Sequence, residues 1–321
     1  MENGVVENKN KIRFNILLFI VLSYILSWSY FILKILVENN YINLNIPPTI
    51  EVLGGFGPAL AAIVVTFVFD GLSGLNELSR RLFIWKFELK WYVIALFLQP
   101  LIWLCAIYIN TSFGGQHPIF NDYYISKYIN FSNIISPIYL LIILTLALFI
   151  QFIFLLGEEI GWRGFLLPKL LTICNWLISS IIVGIAWAIW HIPLFLISNT
   201  TQSNISFSLY FIDLIASTFI FTWIFFHTKG SVLIAGMFHT SINFSTGFFP
   251  ILPQIAGSSG PYIIGIVIKS LIVSTIIVKH KSSINVTFTG KEGLSISRIG
   301  NAFSIVLGFF ERIVENIYKD S

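Results

Sequence analysis

Residues 148–168 read LFIQFIFLLGEEIGWRGFLLP. An apolar run of this length has the make-up of a membrane helix, yet two adjacent carboxylates, Glu158 and Glu159, fall inside it. An ionised group at bilayer depth costs roughly 2.5–3.5 kcal/mol even on a lenient insertion scale, so it persists only where it is paired or used. Arg163 follows Glu159 by four residues, which in a helix puts the two on one face and within reach of an ion pair. Glu158 is rotated by about 100° from Glu159 and lacks that partner. The alternative reading is a helix end at the membrane surface with both acids solvated.

The rest of the chain has the same character. Of 321 residues, 56% are hydrophobic and 11% charged, against about 25% charged in soluble domains. Mean hydropathy is +0.85. Eight segments have the length and apolarity of spans: roughly 14–36, 52–70, 91–109, 138–164, 176–197, 207–226, 231–249 and 261–278. The expected fold is all-α, a polytopic transmembrane helical bundle in a cell membrane. Residues 1–13 form a cytoplasmic N-terminal segment, 14–280 the membrane domain and 281–321 a cytoplasmic tail. The first apolar run is too long for a signal-peptide core and is read as a retained span. The tail at 299–318 has charged residues at helical spacing and is expected to form an amphipathic helix on the membrane surface.

Lysine and arginine placement sets the orientation. With the N-terminus inside, sixteen of them fall on the cytoplasmic side, Lys127 alone falls outside, and Lys34 and Lys269 lie within spans. Both ends of the chain are therefore expected in the cytoplasm. The net charge of +4 reflects this topology rather than nucleic-acid binding, since no basic patch with interleaved aromatics occurs. Cys105 and Cys174 are far apart and imply neither a disulfide framework nor a cysteine metal site. Residue usage hints at an AT-rich, prokaryotic genome.

Two later spans carry histidines. His191 follows Trp187 by one helical turn, so the indole covers the imidazole, and Pro193 bends the helix nearby. His239 and Asn243 also share a face and together offer several N–H donors to a developing oxyanion. Taken singly, His191 reads equally as a core histidine, and His239 with Asn243 as polar glue between helices. Asp213 and Lys269 are further polar residues at depth, read as a structural pair or, for Lys269, as a snorkelling side chain.

These motifs resemble those of the CAAX protease and bacteriocin-processing (CPBP, or Abi) family of intramembrane proteases. Glu158, Glu159 and Arg163 match its Glu-Glu-x-x-x-Arg motif. His239 and Asn243 match His-x-x-x-Asn. Trp187 and His191 match Phe-x-x-x-His with tryptophan in place of phenylalanine. GGFGPALAAIVV and SRRLFIWKFELKWYVIAL upstream are also similar, and the likeness spans about residues 50–280. The resemblance implies that Glu158 and His191 position and deprotonate a water. It implies that His239 and Asn243 stabilise the tetrahedral oxyanion, and that Glu159, Arg163 and Trp187 support them. Neither Ser241 nor a cysteine is then needed as a nucleophile. The substrate would be a membrane-associated peptide or protein at or within the inner face of the bilayer, and nucleic acid is excluded.

The family is often described as metal-dependent. Metal-free, glutamate-activated water is favoured here, because no H-E-x-x-H helix occurs. The alternative is zinc held by Glu158, His191 and His239 with an open fourth position. The alternative to an enzyme is a non-enzymatic immunity factor or scaffold of the same family. A transporter is disfavoured, because no paired broken helices occur in two related halves. Strict 20-residue spans would leave Glu158 near the cytoplasmic boundary and His191 past the midplane. Bringing them together requires a longer, tilted fourth helix or a water-filled cavity open to the cytoplasm.

Overall fold

The computed structural model describes residues 2–47, 51–117, 137–280, 288–289 and 293–294. All eight expected segments are helical: α1 (Glu2–Glu38), α2 (Glu51–Arg80), α3 (Lys90–Ser112), α4 (Pro137–Glu159), α5 (Trp176–Trp190), α6 (Phe207–His227), α7 (Val232–Phe248) and α8 (Gly260–His280). A two-residue antiparallel ladder pairs Phe288–Thr289 with Gly293–Leu294. The surface helix expected at 299–318 lies outside the described residues. Among the described residues, seven helices are long and apolar enough to cross a membrane. The exception is α7, whose 17 residues run between a Ser231 cap and Phe249-Pro250, and much of which is buried.

The fourth span is longer than the sequence suggested. After Glu159 the chain makes a π-helical stretch, Ile160–Leu166, and returns to α-helix over Leu167–Leu171. The apolar span so formed covers residues 141–171. Glu158 therefore lies near its middle, about 20 Å by helix rise from the Leu171 end. His191, at the C-terminus of antiparallel α5, lies about 22 Å from the start of that helix. The mismatch in depth expected from 20-residue spans disappears.

Close helix approach fixes α4 against α2. Gly157 and Gly161 are four apart on one face, as in membrane helix pairs with small residues at the contact. A Cβ on Gly161 would come within 2.8 Å of the Pro58 backbone, and one on Gly157 within 2.9 Å of the Phe56 ring. On its other side α4 packs against α7, and α7 packs on α3.

A proline locks α7 to α3. Pro100, inside α3, has no N–H to give to the carbonyl of Leu96. The Ser241 hydroxyl donates to that carbonyl instead, at 2.6 Å. Ser241 thus has a structural use, and it lies on α7 between His239 and Asn243. Ser241→Ala should strip the partner from a part-buried carbonyl and cost about 1 kcal/mol. A detergent-unfolding midpoint would fall accordingly, while cleavage of a reporter peptide by the folded fraction would persist.

Candidate active site

Glu159 is the centre of a buried ionic knot. Its Oε1 accepts from Arg163 Nη1 at 2.8 Å and from His239 Nδ1 at 2.8 Å, and both Glu159 and Arg163 are 0% exposed. The first contact is the i,i+4 pair expected from sequence; the second joins α4 to α7. An ionised carboxylate only accepts, so Nδ1 of His239 carries a proton. The guanidinium lies 4.2 Å from the Trp187 ring and 3.7 Å from the Phe221 ring. Those π-faces give the cation electrostatic compensation where hydrogen-bond acceptors are lacking.

Glu158 points away from the knot, as its 100° offset requires. Its Oε2 accepts from Trp187 Nε1 at 2.8 Å. Sequence reasoning assigned Trp187 only a covering role. The replacement of phenylalanine by tryptophan was the available signal, because only the indole brings a donor. The Trp187 ring also packs edge-on against both imidazoles, at 5.7 Å for His191 and 5.1 Å for His239.

His191 caps the C-terminus of α5. The carbonyl of Trp187 loses its helical partner there, since the His191 N–H bonds to Ala188 instead. Nδ1 of His191 lies 2.7 Å from that carbonyl and must donate to it, which leaves Nε2 as an acceptor. Two residues of α1 hold the same helix end, and sequence reasoning passed over both. Tyr24 OH donates to the Ala186 carbonyl at 2.7 Å, and Trp28 Nε1 to the Trp190 carbonyl at 2.9 Å. Their signal was an aromatic pair with polar tips at four-residue spacing.

Glu158, Trp187, His191, His239 and Asn243 all line one cavity of about 620 Å³. Asn243, one turn beyond His239, is exposed at its rim. Glu159 and Arg163 sit behind this wall. Asp213 and Lys269 do pair, at 2.6 Å, and Tyr262 OH donates to the other Asp213 oxygen at 3.2 Å. Asp213 and Tyr262 also line the cavity, so this pair forms a second polar spot in the same space.

Among the described residues, no group of three or more His, Cys, Asp or Glu side chains is arranged to hold a metal ion.

Arg163→Met should leave the Glu159 carboxylate buried with His239 alone. Removing one partner of a buried pair costs about 3–5 kcal/mol. The unfolding midpoint should drop sharply, and the Glu159→Gln/Arg163→Met double variant should recover much of the loss in a double-mutant cycle.

Comparison with known proteins bears on this geometry. A family model described as type II CAAX prenyl endopeptidase Rce1-like matches residues 136–245, the stretch that holds all seven site residues. A CAAX prenyl protease 2 from the archaeon Methanococcus maripaludis is 28% identical over 195 residues, which cover 57% of this chain and 68% of the relative. The apolar helices make the chain a multi-pass membrane protein, and its motif residues and these two matches make it similar to the CAAX proteases.

Proposed function

We propose that this chain is an intramembrane endopeptidase that hydrolyses a membrane-associated peptide or protein with a glutamate-activated water. The observation that carries this reading is the convergence of Glu158, His191, His239 and Asn243, from three helices, on one cavity. Relatives of protease type support the hydrolytic class.

Glu158 keeps one carboxylate oxygen for the water, because Trp187 occupies the other. His191, with its acceptor Nε2, orients that water beside the carboxylate. The water oxygen bonds to the scissile carbonyl carbon as Glu158 takes a proton. Asn243 donates its amide N–H to the developing oxyanion. His239, its Nδ1 engaged by Glu159, presents Nε2 to the same space and adds a second donor there when that nitrogen carries a proton. The C–N bond then breaks, and the proton held by Glu158 passes to the leaving amine. Trp187, Glu159 and Arg163 act as positioning residues. No step runs through a metal.

The relative's name refers to prenylated CAAX proteins, and a lipid-modified C-terminal segment is one substrate that a cavity with both apolar and polar walls would accept. Glu158→Gln should reduce cleavage in proteoliposomes by about 10²–10⁴, the range for loss of a general base. Its unfolding midpoint should stay close to that of the parent. Cleavage at the parental rate would remove the assignment. Elemental analysis of the purified full chain should find no stoichiometric zinc, and chelators should leave the rate unchanged. Zinc at one per chain, with loss of cleavage on its removal, would replace this mechanism with a metal-assisted one.

A further inference from the structure

Hydrogen bonds between connections sort the bundle into two ends. At one, Lys11 Nζ reaches the Phe69 carbonyl, Lys169 pairs with Asp70 at 2.7 Å, and the Ser231 hydroxyl donates to the Ile84 carbonyl. This end gathers the start of α1, the α2–α3 connection, the α4–α5 connection and the α6–α7 connection. At the other end, the Ser198 N–H donates to Glu38 at 2.9 Å, and Gln254 Nε2 to the Asn204 carbonyl at 3.3 Å. This end gathers the last turn of α1, the α5–α6 connection and the α7–α8 connection.

Cations divide sharply between the two. The first end carries Lys9, Lys11 and Arg13, four cations across 80–90, then Lys169, Lys229 and Lys279. The described residues of the second end carry Lys34 alone, one turn inside α1. Such a bias in short loops sets membrane orientation, with the cation-rich end in the cytoplasm.

The cavity belongs to the second end. Its walls come from the first half of α4 (Ile143 to Gln151), the first half of α6 (Tyr210 to Ser217) and the last turns of α7. Its rim includes Asn199, Gln202 and Phe248, in or beside the connections of that end. Neither the 80–90 connection nor the 228–231 connection contributes a lining residue.

We propose that the cavity opens on the membrane face away from the cytoplasm, and that the substrate is an exported, membrane-bound peptide presented on that face. The choice of substrate rests on the peptidase reading above; the direction of opening does not. It reverses the expectation from sequence that the substrate lies at the inner face. That expectation took the cytoplasmic side for the mouth without knowing which helix halves line the cavity.

The test is cysteine labelling of the full chain in intact spheroplasts, in a Cys105→Ala/Cys174→Ala background. Ser203→Cys reports the exposed α5–α6 connection beside the rim and Thr246→Cys the cavity wall; Glu88→Cys reports the cation-rich end. A membrane-impermeant maleimide should label the first two at once, and Glu88→Cys only after permeabilisation, with at least a tenfold difference in initial rate. The reverse pattern, or equal labelling at both ends before permeabilisation, would overturn the proposal. Labelling of Ser203→Cys without Thr246→Cys would also overturn it, since the cavity would then open elsewhere. Because labelling needs no catalysis, these outcomes are separate from the failure of Glu158→Gln to lower activity.

Discussion

The shared oxygen of Glu159 is the constraint on which the site depends. It binds an arginine on its own helix and a histidine on another, with Glu159 and Arg163 out of contact with solvent and His239 at the cavity wall. Charges in so apolar a place are tolerable only when each is paired with an opposite charge, because desolvation of either ion alone costs several kcal/mol. Arg163 cannot turn toward water, so Trp187 and Phe221 flank it with their ring faces. Trp187, held there, has its N–H aimed at Glu158 and its ring between two imidazoles. One ion pair thus dictates the place of a tryptophan, and the tryptophan dictates the orientation of the free carboxylate.

Local departures from regular helix create this arrangement. The π-helical stretch after Glu159 follows directly on the two carboxylates, and wider turns of this kind recur at functional sites. The missing N–H of Pro100 makes a carbonyl available to Ser241, which ties α7 to α3 next to His239. The end of α5 exposes carbonyls that His191, Tyr24 and Trp28 each claim. In each case a backbone group that regular helix would have satisfied becomes the attachment point for another element. The cost of leaving a buried carbonyl unpaired explains why these attachments are specific.

The cavity walls carry two clusters of ionisable groups. Glu158 and the histidines form one; Asp213, held by Lys269 and Tyr262, forms the other. Tyr210 bridges them, with its ring 5.3 Å from that of His191 and its position one turn before Asp213 on α6.

What the sequence determined was everything that depends on one helix at a time. Apolar run lengths gave eight helices, because a span must satisfy its backbone internally and be long enough to cross. Four-residue spacing predicted the Glu159–Arg163 pair, the common face of His239 and Asn243, and the divergence of Glu158, since these follow from 3.6 residues per turn alone. Relations between helices were decided only by tertiary structure. The depth of Glu158 depended on where α4 really ends, and the Trp187 donor on how α5 is rotated against α4. The support from α1 and the end at which the cavity opens depended on which faces pack. No periodicity within a single helix records its rotation or height relative to its neighbours; those are fixed by close contacts such as Gly161 on Pro58, between residues about a hundred positions apart.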